Sequence, residues 1–218
     1  MRVMTILLFS LMCALLLSAA AFAGSSFRGY SGLVNIPTAD SLDMGEYNLA
    51  VFTVERDKGE SHTVLAANIG LLPGLEVGAA RERPEGGDAD ILLNGKLGLQ
   101  SESFTRPKIA VGINDVADER NRTSYLVISK SLVPLSEVFH REVFNLTLHA
   151  GVGDGRLDGL FWGVSAGVGN TATLMVEHDG EEFNAGIRFA VGSTVQFHTA
   201  ALDDFDDFGL GISINRRL

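Results

Sequence analysis

Residues 183–200 read FNAGIRFAVGSTVQFHTA, two runs in which every second side chain is bulky and apolar. In the first run these side chains are Phe183, Ile187 and Phe189, and the residues between them are polar or small. A period of two places alternate side chains on opposite faces of a β-strand. Gly192-Ser193 separates the two runs and is typical of a tight turn. The stretch therefore predicts a β-hairpin with one apolar face and one polar face.

The same period recurs from residue 46 to the C-terminus, while helical periodicity is nearly absent. The predicted strands are 46–55, 61–71, 75–82, 90–100, 107–116, 123–132, 143–153, 159–168, 171–179, 182–191, 194–202 and 207–216. Many are longer than the usual ~5–6 residues and approach the ~9–11 residues that a tilted membrane strand needs. Prolines fall between the runs, where the missing N–H removes no ladder hydrogen bond.

These strands predict an all-β fold, a single antiparallel transmembrane β-barrel of about 12 strands, with 10–14 possible. The non-apolar face is rich in glycine and polar groups rather than in the lysine and glutamate of a solvated sheet. In hydrocarbon every backbone polar group must be paired internally, so a membrane-spanning sheet closes on itself. A soluble sandwich also alternates and stays an alternative. Strands 46–55 and 123–132 are ambiguous because both of their faces carry apolar residues.

The first 23 residues differ in character from the rest of the chain. Arg2 precedes an apolar run, Ile6–Leu17, and the segment ends in Ala21-Phe22-Ala23. These parts are typical of a secretory signal peptide, and the run is shorter than the ~20 residues of a membrane-spanning helix. Cys13 is the only cysteine. The exported chain is therefore expected to have no disulfide, no thiolate metal site and no cysteine nucleophile.

Residues 24–45 precede the first strand and are too interrupted to form a membrane strand. Thr38 is a candidate N-cap for a short helix reaching Leu42. The segment is expected either to occlude the mouth of the barrel or to tuck inside it. The predicted organisation is a signal peptide at 1–23, this N-terminal segment at 24–45 and the barrel at 46–218.

The connections suggest an orientation. If the exported N-terminus is periplasmic, three periplasmic connections are the tight turns at 72–74, 169–170 and 192–193. The outward connections are longer and charged, as in bacterial outer-membrane barrels. The connection 132–141 is the exception, and a helical turn packed at the rim is one interpretation of it.

The charge balance excludes one class of partner. The chain has 17 basic and 27 acidic residues, a net charge of -10, whereas nucleic-acid binding needs a basic footprint. Its hydrophobic fraction of 46% is high for a soluble protein. The expected partner is outer-membrane lipid rather than nucleic acid.

Polar side chains on the non-apolar face are expected to line the lumen. The candidates are Glu76, Asp90, Asn94, Lys96, Lys108, Asn114, His149, Glu177, Asn184 and Arg188. They mix both signs, and charges removed from water are stable mainly when paired. Twelve strands leave a bore wider than that of the ~8-stranded barrels that side chains fill. We therefore predict a lumen partly closed by Glu–Lys/Arg pairs that conducts little current.

No constellation predicts catalysis, a metal or a cofactor. His149, His178 and His198 lie on strands that are not neighbours, so a metal site or an acid–base pair is not indicated. Ser165 and Ser213 do not lie in a nucleophile-elbow sequence. The expected protein is not an enzyme.

Six segments resemble the YjbH-like exopolysaccharide-associated outer-membrane proteins. They are GYSGLVNIPTADSLDMGEYNLAV (29–51), GLLPGLEVGAA (70–80), LLNGKLGL (92–99), PKIAVGINDV (107–116), LDGLFWGV (157–164) and VEHDGEEFNAGIRF (176–189). The resemblance implies an outer-membrane barrel linked to the export of an extracellular polysaccharide, or to its association with the envelope. Outer-membrane lipid and the polysaccharide or its export machinery are the implied partners, and the barrel is expected to be monomeric. The alternatives are a membrane-embedded lipid- or glycan-modifying enzyme and a secreted soluble β-barrel binder.

Overall fold

The structure, a computed structural model, describes residues 23–57, 59, 61–132, 144–169 and 171–218. The predicted signal peptide, except Ala23, and nearly all of the connection 132–141 lie outside these residues. The strands are β1 (Glu46–Glu55), β2 (His62–Leu72), β3 (Leu75–Pro84), β4 (Asp90–Gln100), β5 (Lys108–Asn114), β6 (Thr123–Leu132), β7 (Phe144–Gly153), β8 (Gly159–Val168), β9 (Ala172–His178), β10 (Phe183–Val191), β11 (Val195–Leu202) and β12 (Asp207–Arg217).

Each strand pairs antiparallel with its sequence neighbours, and β1 pairs with β12, so the sheet closes into a barrel. The closing register runs from Glu46 opposite Arg217 to Glu55 opposite Phe208. Closure leaves no free sheet edge and gives the backbone groups partners within the sheet. The predicted closed, twelve-stranded antiparallel barrel is confirmed. We call the rim where β1 begins and β12 ends the terminal end, and the opposite rim the loop end.

The outer wall is apolar. Exposed large side chains cover many strands, among them Leu49, Val51, Leu65, Leu93, Leu97, Leu126, Ile128, Leu148, Leu174, Val176, Leu210, Ile212 and Ile214. In the β10–β11 hairpin, Phe189 stands opposite Phe197, and each is 50% exposed. A soluble protein does not leave a band of this size in water, so the wall is suited to contact with acyl chains.

Aromatic rings collect on the outer wall near the loop end. Trp162 stacks against His178 with ring centroids 6.3 Å apart, and Phe183 meets His178 edge-on at 4.7 Å. Aromatic girdles mark the interfaces of transmembrane barrels. His178 therefore belongs to the outer surface and not to the lumen.

A charge placed in the middle of the apolar band is expected to destabilise the barrel. Ile187 is the central residue of β10 and is 40% exposed on the outer wall. Ile187→Lys should lower the free energy of unfolding by about 2–4 kcal/mol, the cost of a lysine at the midplane of a bilayer. Urea titration of the protein folded into liposomes measures this change. Glu181→Lys, in the exposed β9–β10 connection, is the control and should change stability little.

Residues 24–42 lie inside the barrel and pack with inward-facing wall residues to form its core, while Asp43 and Met44 are exposed at the terminal end; we call residues 24–45 the plug. Phe27, Leu33, Val34 and Ile36 belong to the same buried cluster as Phe52. The segment has no helical residues, so the short helix considered after Thr38 is absent. No helix long and apolar enough to cross a membrane occurs among the described residues. Of the two positions expected for this segment, the structure shows the one inside the barrel.

Candidate functional site

The plug enters the lumen at the terminal end and folds back on itself. Gly45 donates its backbone N–H to the carbonyl of Gly70 at the terminal end, at 2.9 Å. Earlier in the chain, Asn35 Nδ2 lies 3.4 Å from Asp179 Oδ2 at the loop end. Residues nearer the N-terminus fold back against this part of the plug, and the Phe27 N–H donates to the Val34 carbonyl at 2.8 Å. Because this segment is irregular, many of its backbone groups need partners from the barrel wall.

Glu177 of β9 supplies three of these partners. Its carboxylate accepts the backbone N–H groups of Val34 at 2.9 Å, Asn35 at 2.5 Å and Ile36 at 3.2 Å. Glu177 is fully buried, and Asn184 Nδ2 approaches the same carboxylate at 3.4 Å. These hydrogen bonds satisfy buried backbone N–H groups of the irregular segment that would otherwise lack a partner. Glu177 therefore fixes residues 34–36 of the plug near the loop end.

Two buried cations bind carbonyl oxygens of the plug. Lys96 Nζ donates to the carbonyls of Ser31 at 2.7 Å and Asp40 at 2.8 Å. Arg188 Nη2 donates to the carbonyls of Ser25, Gly32 and Leu33 at 3.1, 2.9 and 3.3 Å. Glu76 completes the set, since its carboxylate accepts the Ser31 hydroxyl and the Leu42 backbone N–H, both at 2.9 Å.

This arrangement differs from the predicted network of ion pairs. Glu76, Lys96, Glu177 and Arg188 form no salt bridge with one another within the described part of the chain. They bind instead the backbone of the plug. A buried charge needs compensation, and peptide N–H and C=O groups of an irregular segment supply it. The plug therefore closes the lumen, and the charged side chains of the wall hold it in place through its backbone.

Apolar packing complements these polar contacts. Phe27 of the plug lies against Phe52 of β1 with ring centroids 4.7 Å apart. A Cβ added at Gly163 would come within 2.8 Å of Leu33 Cδ1, and one at Gly186 within 2.8 Å of Val34 Cγ2. These two glycines therefore give the plug room to approach the wall closely.

Nine of the ten predicted lumen residues fall into three groups. Glu76, Lys96, Glu177 and Arg188 are buried against the plug, and Lys108 is paired with the plug carboxylate of Asp40. The buried side chains of Asn94 and Asn114 occupy facing positions on β4 and β5, and Asn184 adjoins Glu177. Asp90 is only half-buried and accepts a hydrogen bond from Arg120 Nε at 2.6 Å near the loop end.

His149 is buried between two serines. Its Nδ1 lies 2.8 Å from Ser129 Oγ and its Nε2 lies 3.1 Å from Ser165 Oγ. Ser129 Oγ also accepts the backbone N–H of Ala39 at 2.9 Å, so this chain of hydrogen bonds ends on the plug. Among the described residues there is no group of three or more potential metal ligands. His149 therefore supports the plug in this arrangement.

A cavity of about 360 Å³ remains above the plug at the loop end; we call it the vestibule. Its basic residues are His62 and the arginines Arg28, Arg56, Arg120 and Arg156. Its acidic residues are Glu82, Glu182, Asp203 and Asp207. Arg28, Arg120, Arg156, Asp203 and Asp207 were missed from sequence because they lie on the plug, in connections or at a strand end, where no alternation marks the inward side.

Ion pairs organise one side of the vestibule. Arg156 Nη1 and Nη2 bind the two oxygens of Glu82 at 3.0 and 3.1 Å. Such a bidentate contact is geometrically specific as well as strong. Arg56 Nε also lies 3.7 Å from Asp207 Oδ2. The walls of the vestibule are therefore largely self-neutralised.

Asp115 holds the connection that carries Arg120 to the vestibule. Its carboxylate accepts the backbone N–H groups of Glu119 at 2.9 Å, Arg120 at 2.8 Å and Asn121 at 3.0 Å. Burial by itself raises the pKa of Asp115, but these hydrogen bonds outweigh it and leave the pKa below its ordinary value. The ionised carboxylate is therefore part of the folded connection.

The order of this connection is expected to depend on pH. Because the folded pKa of Asp115 is lowered, its stabilisation is complete above the ordinary aspartate pKa of about 3.9 and is lost as the pH falls through the folded value. NMR shifts of the Arg120 and Asn121 amides between about pH 2 and 6 should report this transition. Asp115→Asn should shift these amides already at neutral pH, whereas Asp88→Asn in an exposed connection should not. Identical amide titrations in wild type and Asp115→Asn would contradict the assignment.

A closed barrel with an apolar outer wall and a polar interior has the architecture of a transmembrane β-barrel, and here the barrel contains a plug formed by its own N-terminal segment. The solved structure titled KdgM porin is similar at a TM-score of 0.57, with 8% sequence identity, over 78% of this chain and 99% of that chain. The Acinetobacter baumannii outer membrane protein Omp33 is similar at 0.53, with 8% identity, over 79% and 98% of the two chains. The likeness extends to the fold. No family model and no curated protein sequence matches the chain.

Proposed function

We propose that the protein is an outer-membrane β-barrel of the bacterial envelope, without catalytic activity, whose lumen is closed at rest by its own N-terminal segment. The observation that carries this proposal is the plug, which buried charged residues of the wall hold by its backbone. The apolar outer wall and the similarity in fold to a porin and an outer membrane protein support the location. The signal-peptide pattern of residues 1–23 supports export.

The role we propose is in the secretion or envelope association of an exopolysaccharide. The resemblance of six segments to the YjbH-like proteins supports it. In this proposal the terminal end faces the periplasm and the vestibule faces the outside. The plug then separates the two compartments until a partner or the polysaccharide displaces it.

Cell fractionation combined with gel mobility tests the location. A closed barrel should be recovered with the outer membrane and should migrate as a compact species in detergent until it is boiled. Recovery as a soluble protein without detergent would favour the secreted binder instead. In planar bilayers the purified protein should conduct little current. A large, steady open state would refute the proposal that the lumen is closed at rest.

The polysaccharide role needs a cellular test. Loss of the gene should lower the amount of extracellular polysaccharide, and wild-type protein should restore it. His149→Ala protein should restore it as well if the barrel is not an enzyme. Loss of lipid or glycan turnover in that variant, with folding intact, would instead favour the membrane-embedded enzyme.

A further inference from the structure

The vestibule contains charged groups that its ion pairs leave unused. Arg28 of the plug, Glu182 and Asp203 all line the cavity. Within the described residues none of their side chains takes part in a hydrogen bond or salt bridge, unlike Arg156, Arg120 and Glu82. The imidazole Nδ1 of His62 is buried without a partner in the same cavity. These groups are a set of donors and acceptors available to a ligand.

The size and lining of the vestibule limit the class of ligand. Its volume of about 360 Å³ falls within the ~300–1,000 Å³ of small-molecule sites. The unused groups are one cation and two anions, so an acidic ligand would meet Glu182 and Asp203 without compensation. A polyhydroxylated, uncharged ligand can donate to both carboxylates and accept from the guanidinium. Phe27, Val54 and Leu202 supply a small apolar patch for the C–H face of a sugar ring.

We infer that the vestibule is a binding site for an uncharged sugar chain, with Arg28, Glu182 and Asp203 as the recognising residues. The inference rests on the proposed function, because that function places the vestibule outside the cell beside an extracellular polysaccharide. Arg28 belongs to the plug itself. A bound sugar therefore contacts the element that closes the lumen.

Binding of neutral trisaccharides to the full-length protein in detergent tests this inference. The probes are an α-linked and a β-linked glucose trisaccharide, with a trisaccharide of glucuronic acid for comparison, observed by saturation-transfer NMR. At least one neutral probe should bind saturably, and the glucuronic acid probe should bind more weakly. Arg28→Gln and Glu182→Gln should each weaken binding by about tenfold or more, the effect of a lost hydrogen bond to a charged group.

Arg83→Gln is the matched control, because Arg83 is exposed on β3 and does not line the vestibule. It should leave the affinity unchanged, and the compact, heat-sensitive gel mobility of every variant should verify folding. No saturable binding of either neutral probe, or tighter binding of the acidic one, would overturn the inference. So would equal losses in Arg28→Gln and Arg83→Gln. The proposed function is tested separately, by outer-membrane recovery and by the effect of gene loss on extracellular polysaccharide. A negative result in the binding experiment therefore overturns the sugar site without overturning the proposed function.

Discussion

Removal of residues 24–42 is expected to convert the closed barrel into an ion-conducting pore. These residues occupy the lumen, and the wall that they leave behind carries Glu76, Lys96, Glu177 and Arg188. Once the plug is gone, water replaces its backbone as the partner of these charges. The barrel itself keeps its closed hydrogen-bonded sheet, so the pore should be stable.

Planar-bilayer recording of the deletion variant, expressed with residues 1–23 in place, measures the outcome. We expect a steady open state where the full-length protein is silent. Heat-dependent gel mobility identifies preparations in which the barrel has folded. A folded deletion variant that stays silent would show that the plug is not what closes the lumen.

A disulfide cross-link in the full-length chain provides an independent test of whether the plug lies against the inner wall of the barrel. A Cβ at position 186 would lie 2.8 Å from Val34 Cγ2, and the only native cysteine is Cys13. Val34→Cys combined with Gly186→Cys should therefore form a disulfide across the plug and the wall. Gly167→Cys, on the inner face of β8 but without plug atoms near its added Cβ, replaces Gly186→Cys in the control and should not cross-link.

The barrel was predictable because its signal is local. Alternation within a run such as 183–191 defines both the strand and its outward face, and no distant residue is needed to recognise it. Glycine-containing turns between the runs then join neighbours into hairpins. Closure followed from the hydrogen-bonding demand of a membrane environment.

The plug was not predictable in the same way. Its contacts join residues far apart in sequence, such as Val34 and Glu177, and its irregular backbone has no period. The ambiguous strands 46–55 and 123–132 did contain a signal. Phe52 and Val127 point inward and are fully buried in the cluster that contains the plug. Apolar residues on both faces of a barrel strand thus indicated that something apolar fills the lumen.

Glu177→Ala is expected to release the middle of the plug while the barrel stays closed on itself. The substitution removes the acceptor of the Val34, Asn35 and Ile36 N–H groups. A buried donor without an acceptor costs about 1–3 kcal/mol, so three of them should destabilise this part of the plug by about 3 kcal/mol or more. That energy corresponds to roughly a hundredfold larger open population.

Hydrogen exchange of peptides covering residues 31–40 measures the release, and exchange in β1 and β12 shows whether the barrel is intact. Glu181→Ala is the matched control, because this residue lies on the same hairpin and is exposed. Its plug should exchange as in wild type. In the Glu177 variant, Lys96 and Arg188 still bind the carbonyls of Ser31 and Gly32. The release of the plug should therefore be local. In planar bilayers this variant should conduct current only intermittently. Unchanged exchange at residues 34–36 would mean that packing against Gly163 and Gly186 holds the plug without the carboxylate.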